Sequence, residues 1–230
     1  IHQRINDKVF VRPDLLMENI ERVLRHQMAK ILAAGLPEPD RRSMRLIYAR
    51  DGRPFILDAE GGYWRTYLFV EHTRSCDVLD SAAQAASIAR AIGRFQHMVA
   101  DLPGPRLHET IPNFHNARTR YAAFHEAVRA DSQGRVASVR REIDWFLANE
   151  ERTCAIMKAM ESGAVPERIT HNDTKANNIL LDDITGEGIC VIDLDTVMAG
   201  SLLYDFGDMV RTGTGTALED EPDASRMTMQ

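Results

Sequence analysis

Residues 169–195, ITHNDTKANNILLDDITGEGICVIDLD, restrict this chain more than any other stretch. Two short apolar runs, Ile179-Leu180-Leu181 and Cys190-Val191-Ile192, flank a segment dense in turn formers, Asp182 to Gly188. That spacing predicts a β-hairpin. Closing the hairpin brings its outer ends together, Asn178 before the first strand and Asp193 after the second. Asp173 lies five residues ahead of Asn178, on the loop that enters the hairpin. Asp195 stands two positions past Asp193, on the same face if extended backbone continues.

An amide oxygen beside a carboxylate is a hard donor pair suited to Mg²⁺. A second carboxylate nearby can orient a hydroxyl and take its proton. Metal clamp plus hydroxyl-directed base is the equipment for phosphoryl transfer from a nucleotide. Asn178 and Asp193 are the expected metal ligands, Asp195 a candidate for a second ion, and Asp173 the expected base. The triplet Asp205-Phe206-Gly207 lies 32 residues past Asp173, too far to close the hairpin, whereas Asp193 lies 20 past it. Asp205 is therefore expected to be structural, bonding the loop or capping the following helix.

Size and composition narrow the class. The chain has 230 residues, 44% apolar and 27% charged, ordinary values for a globular protein. Net charge is −6, from 34 acids and 28 bases, which argues against a nucleic-acid or anionic-membrane surface. No apolar run is long enough to span a bilayer, and IHQRINDKVF does not read as a signal peptide. Cys76, Cys154 and Cys190 lack metal spacing and are odd in number, which points to a reducing, cytoplasmic setting. Nothing fixes the oligomeric state.

Along the chain, residues 14–34 read as a helix capped by Asp14, with Leu16, Ile20, Val23, Met28 and Ile31 on one stripe. Residues 44–71 read as three antiparallel strands with turns at Asp51-Gly52 and Glu60-Gly61-Gly62. Residues 80–101 form an amphipathic helix. Helices are expected over 117–131 and 135–162, with Trp145 and Phe146 in a core. The segment 108–121 is rich in polar groups. Its His115, Asn116, Arg120 and Tyr121 could line a sugar pocket, or mark a loop and helix start with Asn116 as N-cap.

His171-x-Asp173-x-x-x-x-Asn178 followed by Ile192-Asp193 resembles the catalytic and metal loops of the aminoglycoside phosphotransferase/choline kinase superfamily. THNDTKANNILLDD and VIDLDTVMAGSLLYDFGD most resemble the N-acetylhexosamine 1-kinases within it. The resemblance implies an α+β, protein-kinase-like bilobal fold. Its small antiparallel-sheet lobe would span residues 1–71, lacking the Gly-rich phosphate loop. Its larger, mainly helical lobe would span 72–230 and lack further helices.

The same resemblance implies ATP as co-substrate, Mg²⁺ as cofactor, and a sugar as the other partner. His171 would brace the loop, and Lys175 would neutralise the transferred phosphoryl group. Arg4 would touch the nucleotide phosphates, with Glu18 or Glu21 as its helix partner. Glu71, His72 and Thr73 would form the hinge whose backbone holds adenine. His115, Asn116 and Arg120 would join Asp173 at the acceptor. Two other readings stand beside an N-acetylhexosamine 1-kinase: a phosphotransferase for an aminoglycoside or other small alcohol, and a non-catalytic nucleotide-binding relative.

Overall fold

The computed structural model describes residues 1–218 and 221–229; of the acidic stretch near the end, Glu219 and Asp220 lie outside the described residues. Contacts divide the chain into two compact units, residues 1–111 with 168–230, and residues 112–167.

The first unit begins with a three-stranded antiparallel sheet. It is built from β1 (His2–Arg4), β2 (Ile56–Leu57) and β3 (Tyr63–Thr66), with β3 in the middle. The predicted strand over 44–50 is reduced to one bridge, Leu46 to Tyr67. Helix α1 (Pro13–Ala33) follows β1. Its N-cap is Arg12 rather than Asp14; Pro13 occupies the first turn, where a missing N–H costs nothing. Asp14 instead pairs with Arg12 at 2.7 Å. Leu16, Met17, Ile20, Val23 and Ile31 are buried along one stripe of α1, as period-3.6 patterning requires.

Strand β4 (Thr73–Arg74) leads to α2 (Ala82–Val99), whose N-cap Ser81 accepts from the Gln84 N–H. Phe95 and Val99 of α2 pack in one core with Leu16, Ile20 and Val23 of α1 and Leu194 and Val197. Ile88 and Ile92 belong to a second cluster with Ile179 and Leu181.

After residue 167 the chain returns to this unit through β5 (Arg168–Thr170). Strands β6 (Ile179–Asp182) and β7 (Gly188–Val191) form the hairpin, and β4 pairs along the other edge of β6. Ile179 faces Val191 and Leu180 faces Cys190, with a bulge before Leu181. Strand β8 (Met198–Gly200) pairs with β5, and helix α7 (Leu202–Gly213) follows. The hairpin turn is tied by Asp182, whose carboxylate accepts from the Ile184 and Thr185 N–H groups and from Arg41.

The second unit is helical. Numbered on from α2, it holds α3 (Ala117–Ala130), α4 (Arg140–Ala148), α5 (Glu150–Thr153) and α6 (Ala155–Glu161). The single helix expected over 135–162 is broken at Asn149, which sits outside helical geometry and whose side chain takes the Trp145 carbonyl. Trp145 and Phe146 are not core residues: they are 61% and 50% exposed. In so small a unit Ile143 is the buried residue of α4, and the two aromatic rings pack edge-on against each other. Small antiparallel sheet, β6–β7 hairpin and helical remainder together give the α+β class expected from the sequence. No helix among the described residues is long and apolar enough to cross a membrane.

Candidate active site

The hairpin closes its two outer ends on each other. The Ile192 N–H donates to the Asn178 carbonyl at 2.9 Å, which sets Asp193 next to Asn178. The Asn178 side-chain N–H₂ donates to the Asp173 carbonyl at 2.8 Å and to Asp173 Oδ2 at 3.2 Å. With the nitrogen committed to Asp173, the Asn178 amide oxygen is the atom left for a cation. Lys175 Nζ lies 3.4 Å from the same Asp173 Oδ2. Both cationic and amide donors therefore meet one oxygen of Asp173, and Oδ1 is the other.

His171 is buried at 1% exposure, and both ring nitrogens have partners. Nε2 lies 2.9 Å from the Ile192 carbonyl, and the Asp173 N–H points to Nδ1 at 3.3 Å. Those partners define one tautomer, protonated on Nε2. The ring thus ties the Asp173 loop to the strand end that carries Asp193. Phe95 meets it edge-on with centroids 5.7 Å apart.

Asp205 is fully buried and holds the loop from behind. Its carboxylate accepts from the Asn172 N–H at 2.7 Å, the His171 N–H at 3.1 Å and Gln96 Nε2 at 2.9 Å. Thr174 donates to its backbone carbonyl. Ser201, not Asp205, caps α7. Asn172 Nδ2 also reaches the Thr196 carbonyl, and Thr196 Oγ1 donates to the His171 carbonyl. The loop backbone is thereby satisfied from two directions, as buried polar groups require.

Three non-glycine residues here adopt left-handed backbone: His72 (φ 57°), Asn172 (φ 67°) and Asp193 (φ 57°). Asn and Asp tolerate this region best, and such strain persists only where neighbours over-determine it. Asp193 meets solvent, yet protein crowds around it. That desolvation raises its pKa, with the carboxylates of Asp195 and Asp173 adding to the shift and Arg65 opposing it. Crowded carboxylates of this kind favour a divalent cation between them. Among the described residues no three His, Cys, Asp or Glu side chains gather as a self-sufficient metal site. One amide and one carboxylate instead match an ion that arrives with substrate phosphates.

The remaining candidates fall in different places. Asp195 is gripped through both oxygens by the Arg65 guanidinium. Arg4 is exposed and pairs across the sheet with Trp64, while Gln3 pairs with Arg65. Alternation along β1 therefore puts Arg4 on the face opposite Gln3 and Arg65, beside Asp58. Glu18 pairs with His108 at 3.1 Å, and Glu21 with Arg25 and the Tyr48 hydroxyl. The His72 carbonyl accepts from the Asp183 N–H and from Arg41. Glu71 is exposed, and Thr73 caps the Val70 carbonyl.

In the second unit Asn116 caps α3 by accepting from the Thr119 N–H, Arg120 donates to the Phe114 carbonyl, and the His115 ring lies tilted against Phe114, centroids 4.6 Å apart. Tyr121 is buried, its hydroxyl donating to the Phe146 carbonyl.

Two residues escaped sequence reasoning. Asn19 is completely buried on α1 and bonds the His108 backbone on both sides and the Val197 carbonyl. Arg65 is the basic side chain of the sheet that faces the acids. A charged residue in mid-strand between Trp64 and Tyr67 was the available signal.

Solved structures to which the chain is similar include two kinases. A spectinomycin phosphotransferase in its AMP-bound complex superposes with a TM-score of 0.48 at 14% identity, over 89% of this chain and 61% of that one. An amicoumacin kinase in complex with AMP-PNP and Ca²⁺ gives 0.48 at 14% identity, over 83% and 53%. The chain thus spans about three-fifths and about half of those two proteins. The model of the APH phosphotransferase enzyme family matches residues 7–229. The chain belongs to the APH phosphotransferase enzyme family.

Proposed function

We propose that this chain belongs to a small-molecule kinase that transfers the γ-phosphoryl group of ATP to a sugar hydroxyl, namely the anomeric hydroxyl of an N-acetylhexosamine. The observation that carries the reading is the meeting of Asp173, Asn178 and Asp193 at the open end of one hairpin, away from its turn. The choice of sugar rests on the sequence likeness of residues 170–208 to N-acetylhexosamine 1-kinases and on the polar run His115, Asn116 and Arg120.

Asp173 orients the acceptor hydroxyl and takes its proton on Oδ1, since Oδ2 already faces Asn178 and Lys175. The sugar oxygen forms a bond to the γ-phosphorus as the bond to the oxygen of ADP breaks. Positioned acid–base assistance of this type contributes about 10²–10⁴-fold. Lys175, 3.4 Å from Asp173 Oδ2, would offset charge on the transferred group. Asn178 and Asp193 would hold Mg²⁺, which neutralises charge on the nucleotide phosphates when bound. His171 keeps the two loops in register without exchanging a proton. Adenine would rest on the backbone near Glu71, His72 and Thr73, making residues 1–71 the nucleotide lobe and 72–230 the catalytic lobe. The cysteines, none in a disulfide, suit a cytoplasmic protein.

The test is an ADP-release assay on the full-length protein with Mg-ATP and a panel of N-acetylhexosamines, aminoglycosides and choline. Phosphorylation of N-acetylglucosamine or N-acetylgalactosamine at the anomeric position supports the reading. Turnover confined to an aminoglycoside moves the substrate, and nucleotide binding without any transfer removes the catalytic claim.

A further inference from the structure

We propose that Arg65 is the strand-borne cation of this site, a positioning residue that locks the metal loop to the small sheet through Asp195 and keeps Asp195 out of direct metal coordination. The proposal deepens the phosphotransfer reading and rests on it.

Arg65 sits in the middle of β3, the central strand of its sheet, and is only 6% exposed. Both terminal nitrogens engage Asp195, Nη1 on Oδ1 and Nη2 on Oδ2 at 2.9 Å. Nε donates to Gln3 Oε1 at 3.3 Å from the neighbouring strand. The guanidinium also lies 5.2 Å from the Tyr67 ring centroid. This is the planar fork geometry that lysine does not reproduce. The sheet offers no lysine: β1 is His-Gln-Arg, β2 Ile-Leu and β3 Tyr-Trp-Arg-Thr. Of its two arginines, Arg4 faces away beside Asp58.

Asp195 is the middle residue of the turn Leu194–Thr196 that directly follows Asp193. That turn also carries Thr196, whose hydroxyl bonds the His171 carbonyl. Fixing Asp195 from β3 therefore fixes the left-handed Asp193 and the loop bearing Asp173 together. A carboxylate with a guanidinium across both oxygens is a poor ligand for a further cation, because its charge is already matched. Direct coordination then falls to Asn178 and Asp193, with nucleotide phosphates completing the shell.

The experiment compares two single variants with a charge-free pair on the full-length protein, reading the Mg²⁺ concentration that half-saturates binding of a non-hydrolysable ATP analogue, beside kcat and KM. Arg65→Lys and Asp195→Asn are each expected to raise that concentration about tenfold, the usual scale for residues that orient a metal ligand. The pair Arg65→Met/Asp195→Leu should be no worse than either alone, since one interaction is lost in all three. KM for the nucleotide should rise more than kcat falls. Circular dichroism establishes that each variant is folded, and the charge-free pair provides the measurement if a single variant is not. An Asp195→Asn defect as severe as that of Asp193→Asn would make Asp195 a ligand and overturn the proposal. So would an unchanged Mg²⁺ requirement in Arg65→Lys or in the folded charge-free pair. Failure of the parent protein to bind the analogue with Mg²⁺ would instead remove the phosphotransfer reading itself.

Discussion

Replacing Asp205 with asparagine separates two roles that its place in an Asp-Phe-Gly triplet would allow. As built, the carboxylate accepts three hydrogen bonds from Asn172 N, His171 N and Gln96 Nε2, in a setting closed to water. An asparagine retains one acceptor oxygen and turns an N–H₂ group toward at least one of those donors. Loss of a charge-assisted bond costs about 1.5–3 kcal/mol, and leaving a buried N–H without a partner costs about 1–3 kcal/mol. Because the groups share one network, the terms do not simply add. A total of about 2–5 kcal/mol is expected, a large part of the roughly 5–15 kcal/mol that stabilises a typical domain.

Urea unfolding followed by circular dichroism measures this directly. With a slope of about 2 kcal/mol per molar urea, within the usual range of about 1–3, the midpoint should fall by roughly 1–2.5 M. Where the variant is still folded, the Mg²⁺ dependence of nucleotide binding should stay close to that of the parent. An unmoved midpoint together with lost Mg²⁺-dependent binding would refute the reasoning. It would show that Asp205 meets the metal and that the loop stands without it.

Other perturbations probe neighbouring parts of the site. Asp173→Asn should leave Mg-ATP affinity nearly intact and cut turnover by about 10²–10⁴-fold, measured by ADP release. Asp193→Asn should weaken nucleotide binding in the presence of Mg²⁺ far more than in its absence, read by titration with a fluorescent analogue. Gly200→Ala places a methyl group 2.5 Å from Thr170 Oγ1 and 3.0 Å from Asn172 Oδ1. Crowding of that kind costs about 1–3 kcal/mol, and calorimetry should show a melting temperature lower by about 3–10 °C. Asp182 is held well below the usual carboxylate range, first by the Thr185 N–H and then by Arg41. A depressed carboxylate adds stability that is fully present above its ordinary value of 3.8 and is lost as pH falls through the lower folded value. Asp182→Asn should therefore flatten the acid limb of a stability–pH curve below about pH 4 while leaving the slope at neutral pH unchanged.

The parts of this fold that could be read from the sequence are those set by near neighbours. The β6–β7 hairpin announces itself through a turn-rich segment between two apolar runs, and its closure follows from that local chemistry. The stripe on α1 is likewise short-range. What sequence reasoning missed depends on partners far along the chain. Arg65 finds Asp195 across 130 positions, and Asn19 finds Val197 across 178. A lone polar residue in an apolar strand or helix carries no mark of which distant group will satisfy it. Arg4 and Arg65 look alike as letters, and only the register Gln3 to Arg65 assigns them to opposite faces. Trp145 and Phe146 show the converse: aromatic residues predict burial only where enough core exists to receive them.

The site's rigidity comes from backbone bonding rather than from its chemical groups. Asp205, Thr196 and His171 each bond main-chain atoms of the Asp173 loop or of the strand end beside Asp193. Asp173 and Asp193 themselves are left with fewer constraints on their oxygens, which are the atoms phosphoryl transfer would use. Such a division predicts that conservative changes at buried Asp205 or Thr196 act first on stability, while changes at Asp173 or Asp193 act first on turnover and metal dependence. The Arg65–Asp195 pair falls between these classes, because it ties the sheet to the turn that follows Asp193.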